Sequence, residues 1–248
     1  MRVVQPREKE GETPMKHEVV PRDEWLKARK ALLKEEKEFT RLRDEMTRRI
    51  RALPWVRLDK TYWFDGPRGR ESLGDLFGGC SQLLVYHFML GPDWDEGCKS
   101  CSFWADNFQG IPIHLAHRDV SFVVISRAPF EKIEEFRKRM GWSFKWVSSF
   151  GSDFNFDFNV SFTPEEIEAG KANFNYRLTS EVSDEMPGVS VFFKDGEAIF
   201  HTYSTFGRGI DMLNGAYHYL DLVPKGRDEG DLEYTMEWLR HHDRYEAG

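Results

Sequence analysis

The largely apolar run SQLLVYHFML, at residues 81–90, most constrains what this chain can fold into. A continuous apolar run of this length is typical of a strand that is buried on both faces of a sheet. A second such run, VSFVVISRA, occupies residues 120–128, and apolar residues at helical spacing lie within residues 103–117 between the two. Strand, loop, helix and strand in this order predict a parallel βαβ unit, whose right-handed crossover places the helix over the sheet.

The segments that follow extend this unit. PFEKIEEFRKRMG, at residues 129–141, predicts a helix that begins with proline and has glycine just past its end. GVSVFFKDGEAIFHTYST, at residues 188–205, predicts an antiparallel hairpin that turns at residues 194–196, and a further helix is predicted after it. A βαβα unit followed by a hairpin and a helix is a thioredoxin-like arrangement. We therefore predict an α/β fold with a central sheet flanked by helices.

The chain is predicted to divide into three regions. Residues 1–20 are polar and of mixed charge, which favours a flexible arm. Residues 21–54 carry apolar side chains every three or four positions, which predicts a long added amphipathic helix. Residues 55–248 then form the thioredoxin-like domain, with an amphipathic C-terminal helix over residues 229–245. Within this domain DFNFDFNVSF, at residues 153–162, alternates strictly and predicts a half-buried strand.

Composition restricts the classes of function. The 248 residues, of which 40% are hydrophobic, are enough to bury a core without disulfide staples. Three cysteines do not form a disulfide framework, which favours a reducing compartment. No secretory apolar region and no run of roughly 18 to 20 apolar residues is seen, so we expect a cytoplasmic protein that does not contact a membrane. The net charge of −7 argues against nucleic acid as the main partner.

The long helix has a polar face on which basic and acidic side chains alternate, with a basic excess. Such a face could bind RNA, but interleaved charges are more typical of a solvated surface with ion pairs between successive turns. The helix could lie across the domain or pair with a second copy, so a homodimer is one of the arrangements that the sequence allows.

The pair of cysteines in GCKSC, at residues 97–101, carries the main chemical prediction. Cys98 is expected at the first turn of the predicted helix, where unpaired backbone N–H groups favour a thiolate. Cys101 would lie one turn deeper and could resolve a mixed disulfide between Cys98 and a substrate. The neighbouring Asp95 and Glu96 oppose thiolate formation, and the sequence does not give the sign of the sum.

Zinc is the principal alternative for this pair, since Cys98, Cys101, His114 and His117 approach zinc-finger spacing. The two histidines are separated by only two residues, and glycine and Pro112 interrupt the approach to them. A chain with its own core also does not need a metal to fold. We therefore predict neither a metal nor another cofactor, and we expect both histidines to be ordinary surface residues.

Two further residues are predicted to contact a substrate. Trp94, in the loop before the cysteine pair, would offer an apolar surface, although packing that anchors the loop is an equally good interpretation. Pro187 precedes the first hairpin strand, where a proline, often cis, faces the dithiol of thioredoxin-like sites and leaves backbone groups free to pair with substrate. His87 is expected to be a core histidine and Cys80 a small buried residue.

Several separated blocks resemble one bacterial family. They include SQLLVYHFMLGPDWDEGCKSCSF, MGWSFKWVSSFGSDFNFDF and HTYSTFGRGID, and the resemblance runs from about Glu24 to near the C-terminus. The family is of unknown function and is described broadly as predicted dithiol-disulfide oxidoreductases with a thioredoxin-like fold. This resemblance implies a thioredoxin-like core with an added N-terminal helix, and Cys98 with Cys101 as the redox pair. It implies no particular substrate.

The layout of the sheet is also similar to that of peroxiredoxins. Their pattern has a proline and a Thr or Ser ahead of the peroxidatic cysteine, but here Asp95 stands three residues before Cys98 and Pro92 six before it. Arg127 is then the candidate for charge support of a peroxidatic thiolate.

We predict a thiol-disulfide oxidoreductase that acts on a protein disulfide or on a small thiol substrate in its disulfide form. Two alternatives stay open. One is a peroxiredoxin-like thiol peroxidase, and the other is a non-catalytic thioredoxin-like domain that binds a partner through the helix at residues 22–53.

Overall fold

The computed structural model describes residues 17–246, so residues 1–16 of the predicted arm lie outside the described part of the chain. Two compact units are present. One combines the residues up to Leu53 with Asp228–Glu237, and the other combines Pro54–Arg227 with the residues from Trp238 onward.

The first unit is built on α1 (Arg22–Arg51), an uninterrupted helix of 30 residues that matches the predicted long helix. Acidic residues lie in its first turn and basic residues in its last, as the helix dipole favours. No residue within α1 is buried. No helix between residues 17 and 246 has both the length and the hydropathy needed to cross a membrane.

The predicted C-terminal helix over residues 229–245 is wrong. Residues 230–238 form turns and bends, and within residues 228–246 only His242–Arg244 make a short 3-10 turn. Asp228 and Met236 have φ values of 51° and 70°, which a right-handed helix does not accommodate. The apolar residues therefore repeat at helical spacing along a segment whose backbone reverses direction.

The second unit contains the sheet. Its strands are β1 (Val56–Arg57), β2 (Trp63–Gly66), β3 (Gly69–Ser72), β4 (Gln82–His87), β5 (Val120–Ser126), β6 (Trp146–Ser148), β7 (Ala172–Phe174), β8 (Arg177–Thr179), β9 (Gly188–Asp195) and β10 (Ala198–Phe206). Its α-helices are α2 (Lys99–Ala105), α3 (Ile111–Ala116), α4 (Phe130–Arg139), α5 (Phe154–Asp157), α6 (Pro164–Glu168) and α7 (Gly215–Leu220).

Within residues 17–246, eight strands form one sheet in the order β1-β10-β9-β4-β5-β6-β2-β3, and β7 pairs with β8 in a separate two-stranded sheet. β4 and β5 are parallel and are joined through α2 and α3, while β9 is antiparallel to β4 and β10 to β9. The four strands β10-β9-β4-β5 with their helices are the core of a thioredoxin-like fold. The predicted βαβ unit and hairpin are therefore confirmed, with β6 and the β2–β3 hairpin added beyond β5.

Successive side chains of β4 point to opposite faces of the sheet, and each face is covered by a layer of buried side chains. His87 and the other odd-numbered residues face the same side as α5, where His87 lies 5.7 Å from the ring of Phe154. Tyr86 and Phe88 face the other side and pack among aromatic rings of the segments around α2–α4. Both layers are rich in aromatic residues, so the sheet is covered on both faces and α2 has a rigid base.

The predicted strand at residues 153–162 is also wrong. Its first residues form the single helical turn α5, and Phe154 and Phe158 pack against each other with ring centroids 4.6 Å apart. Positions four apart share one face of a helix, so strict alternation fits a helical turn as well as a strand. The Lys60 ammonium holds this turn through Asp153 and Asp157, each at 2.7 Å.

Candidate functional site

Cys98 lies directly before α2, at the end of the loop that leaves β4. Its backbone N–H donates to the Met89 carbonyl at 3.0 Å, and its own carbonyl accepts from the Ser102 backbone N–H at 2.9 Å. The Ser102 hydroxyl donates to the same carbonyl at 2.9 Å. Cys98 is half-buried and remains partly accessible to solvent. The loop and the first turn of α2 therefore fix the backbone on both sides of this sulfur.

The surroundings of Cys98 favour its thiolate. The Cys101 thiol donates to the Cys98 sulfur, and this contact is the largest contribution that lowers the pKa of Cys98 to about 6. The backbone N–H groups of Cys101 and Ser100 and the Ser100 hydroxyl act in the same direction, whereas burial opposes them. The contacts around Cys98 therefore favour its ionised form.

Cys101 has the opposite character. It is buried, and burial together with the nearby Cys98 thiolate raises its pKa well above the ordinary value. The Met89 backbone N–H donates to the Cys101 sulfur at 3.4 Å. All three cysteines, including the half-buried Cys80, lie in the described part of the chain and are free thiols. The two sulfurs are thus within hydrogen-bonding reach, and their surroundings favour a thiolate at Cys98 and a thiol at Cys101.

The Glu96 carboxylate beside Cys98 is paired with two arginines. The Glu96 carboxylate accepts from Arg139 at 3.0 Å and also from Arg244, and the Arg244 contact is the main cause of its lowered pKa. His241 contacts the carbonyl of Gly97 at 2.8 Å. Of the two acidic residues that oppose a thiolate in the sequence, Glu96 is therefore balanced by cations from α4 and from the C-terminal residues.

Gly97 is required by close packing rather than by backbone conformation. A Cβ at this position would lie 2.6 Å from the ring of Phe136 and 2.8 Å from that of Phe88. We expect Gly97→Ala to lower the free energy of unfolding by about 1–3 kcal/mol, since neither buried ring can move freely. Urea unfolding measures this loss.

Gly230→Ala is the matched control for Gly97→Ala, because a Cβ added at Gly230 would have no atom within 4 Å. It should change stability by less than about 0.5 kcal/mol. Equal stability of Gly97→Ala and the unmodified chain would show that the loop before Cys98 yields easily.

Trp94 is anchored in its loop. Its indole N–H donates to Asp184 at 3.3 Å, and its carbonyl accepts from the Lys132 ammonium at 2.8 Å. Its ring fills the space left by the missing side chain of Gly91, beside the aliphatic part of Glu185. The ring is half-buried, so the anchoring interpretation matches its contacts, and substrate contact remains a prediction.

Pro187 directly precedes β9, and Gly188 after it pairs with His87 at the end of β4. Pro187 therefore lies at the end of the sheet from which the loop that carries the dithiol departs, and it is half-buried. Between residues 17 and 246 no peptide bond is cis, so the bond before Pro187 is trans. Its role toward a substrate remains a prediction.

Arg127 has a different partner from the one that the peroxiredoxin comparison suggests. Its guanidinium forms a largely buried ion pair with Glu185, whose second carboxylate oxygen accepts from the Ser161 hydroxyl at 2.8 Å. Burial raises the pKa of Glu185 despite these contacts. Sequence reasoning missed Glu185, because nothing in an acidic loop distinguishes a carboxylate that folds inward.

His87 is buried, and burial lowers its pKa to about 3, with His201 contributing in the same direction. Its Nε2 contacts the Ser190 hydroxyl at 2.8 Å. The two histidines of the zinc alternative, His114 and His117, are exposed on α3 and just after it. Within residues 17–246 no cluster of three or more His, Cys, Asp or Glu side chains is arranged to hold a metal ion.

The strand order and the two cysteines before and within α2 define the class of this molecule as a thioredoxin-like protein. More narrowly, the chain belongs to the family described as "Bacterial protein of unknown function (DUF899)", whose profile matches residues 14–245. No curated protein matches the chain.

Solved structures with a similar fold include three peroxiredoxins. A mutant of PrxQ from Xylella fastidiosa is 13% identical over 64% of this chain and 89% of its own, with a TM-score of 0.40. The mitochondrial 2-Cys peroxiredoxin from Plasmodium falciparum is 12% identical over 67% and 92%, also at 0.40. Peroxidoxin BcpB from Mycobacterium tuberculosis is 12% identical over 66% and 94%, at 0.39. These similarities are too weak to bear on activity.

Proposed function

We propose that this protein is a thiol-disulfide oxidoreductase in which Cys98 is the nucleophile and Cys101 the resolving thiol. The feature that supports this most is that two adjacent sulfurs have surroundings that shift their pKa values in opposite directions. The partly accessible Cys98 is favoured as a thiolate, while the buried Cys101 is kept as a thiol and donates to it. The thiolate is the attacking species in disulfide exchange, so this asymmetry favours Cys98 as the sulfur that attacks first.

The proposed reaction has two displacement steps. The Cys98 thiolate attacks one sulfur of a substrate disulfide, and the other sulfur leaves as a thiolate. Cys101 then loses its proton and attacks the Cys98 sulfur, which releases the second substrate sulfur as a thiolate. The dithiol gives up two electrons to the substrate disulfide and becomes the Cys98–Cys101 disulfide. A reducing thiol from the cell must restore the dithiol before the next turnover.

The substrate is proposed to be a disulfide-containing protein or a small thiol compound in its disulfide form. Trp94 would contact the substrate with the partly exposed face of its anchored ring. Pro187 would contact it from the same end of the sheet. A cytoplasmic location fits a dithiol that must be kept reduced. Nucleic acid and membranes have no part in this proposal.

Alkylation of the reduced protein tests the proposal. Iodoacetamide should modify Cys98 with a rate that rises around pH 6, since that is the pKa to which the Cys101 contact lowers its thiol. Cys101 should stay unmodified until the protein unfolds, because it is buried. Mass spectrometry of digested samples identifies the modified cysteine.

A reductase assay with a dithiol donor then connects this reactivity with turnover. Cys98→Ser should remove turnover of a protein disulfide, while Cys80→Ser serves as the matched control and should retain it. Alkylation of Cys98 with the pH dependence of an ordinary thiol, together with equal turnover by Cys98→Ser and the unmodified chain, would reject the proposal.

A further inference from the structure

The buried hydroxyl of Tyr86 adjoins the Cys101 thiol. The side chain is fully buried, and its oxygen is not aligned for a hydrogen bond with any residue of the described chain. The Cys101 sulfur nevertheless lies close enough that burial first, and then Cys101 and Cys98, raise the pKa of Tyr86. A buried hydroxyl without a partner is unfavourable and rare in native proteins, so its retention calls for a reason.

The dithiol and the mixed disulfide place different demands on Cys101. In the dithiol, the Cys101 thiol donates to the Cys98 thiolate, and the Met89 N–H donates to the Cys101 sulfur. In a mixed disulfide Cys98 carries no negative charge, and Cys101 must itself become a thiolate inside the protein. Two donors then lie beside the new anion, the Met89 N–H and the Tyr86 hydroxyl.

We infer that Tyr86 is a catalytic residue of the resolving step, in which its hydroxyl donates to the Cys101 thiolate. This inference rests on the proposed function. Cys101 loses its proton to solvent and bonds to the Cys98 sulfur while the bond from Cys98 to the substrate breaks, and the departing substrate sulfur takes the electron pair. Tyr86 keeps its proton throughout, since a phenol has a pKa near 10 even before burial raises it.

The test uses the aromatic disulfide dithiobis(nitrobenzoate) and the full chain carrying Cys80→Ser, so that only Cys98 and Cys101 can react. Attack by Cys98 releases one coloured thionitrobenzoate, and resolution by Cys101 releases the second. Adding Tyr86→Phe should leave the first phase unchanged and slow the second by about tenfold or more, as loss of a hydrogen bond to a charged group predicts. The pH at which the second phase is half-maximal should also rise.

Two measurements separate this role from a structural one. Tyr86→Phe should have an unchanged or higher midpoint of unfolding, because it removes a polar atom that has no partner in the folded dithiol. Tyr62→Phe is the matched control, since it removes another buried tyrosine hydroxyl, one bonded to Asp157 at 2.8 Å on the opposite face of the sheet. It should change neither phase.

Failure of this inference is distinct from failure of the proposed function. An absent first phase in the Cys80→Ser chain would reject the reaction itself. A normal first phase with an unchanged second phase in Tyr86→Phe would overturn the role of Tyr86 alone. Equal slowing of both phases, or equal slowing of the second phase by Tyr62→Phe, would also overturn it, because either result indicates a general structural change.

Discussion

Cys101→Ser is expected to stop turnover and to leave the substrate sulfur covalently bonded to Cys98. Serine cannot displace the substrate from the mixed disulfide, so the reaction halts after its first step. Turnover should fall by about two orders of magnitude or more, as for loss of a reacting group in other enzymes. Non-reducing gel electrophoresis with a protein disulfide, followed by mass spectrometry, detects the adduct on Cys98.

The same substitution should also weaken the nucleophile. The Cys101 thiol is the main donor that lowers the pKa of Cys98, and a serine hydroxyl would have to replace this contact. We therefore expect formation of the adduct to be slower than the first step of the unmodified chain at the same pH. Cys80→Ser, as the control, should form no lasting adduct. Full turnover by Cys101→Ser would contradict a two-cysteine mechanism and favour resolution by an external thiol.

The elements of the fold that were predicted correctly have local sequence signals. β4 and β5 are buried on both faces and therefore read as continuous apolar runs, and the β9–β10 hairpin has its turn at Gly196, which has φ of 55°. Helix α4 begins after Pro129 and is followed by Gly141 with φ of 65°. In each case the residues that determine the element lie within it or directly beside it.

The two wrong predictions share a physical cause. The spacing of Phe154 and Phe158 is compatible with either a strand or a helical turn. In the folded chain these rings pack against Tyr62 and Phe64, which come from a distant part of the sequence, and this packing favours the helical turn. The C-terminal segment has helical spacing, but a single residue with positive φ, such as Met236, is enough to interrupt it. Hydrophobic periodicity is a local signal and does not report either effect.

The candidate site was predictable in part for the same reason. The spacing of Cys98 and Cys101 and their position after β4 are local properties. Neutralisation of Glu96 depends on Arg244, which is 148 residues away in the sequence, so no nearby pattern could reveal it. The sequence does contain one local indication for Tyr86. Tyr86 directly precedes His87 in β4, and successive residues of a strand face opposite sides of the sheet, so the two side chains lie on different faces.

Arg127→Met is expected to lower the free energy of unfolding by about 3–5 kcal/mol, because it leaves a buried carboxylate without its cation. The Glu185 side chain is only 1% exposed and would retain just the Ser161 hydroxyl. Urea unfolding at neutral pH measures the loss. The pH dependence follows from the pKa of Glu185, which burial already raises and which should rise further without Arg127.

A carboxyl whose pKa is higher in the folded than in the unfolded state binds its proton preferentially in the folded state. The Arg127→Met chain should therefore lose stability as pH rises from the ordinary carboxyl pKa of 4.5 through the raised pKa, and its deficit should shrink in acid.

Adding Glu185→Gln should recover most of the loss, since a neutral amide can be buried with one hydrogen bond at far smaller cost. A deficit below about 1 kcal/mol that does not vary with pH would instead indicate an ion pair no stronger than one at the surface.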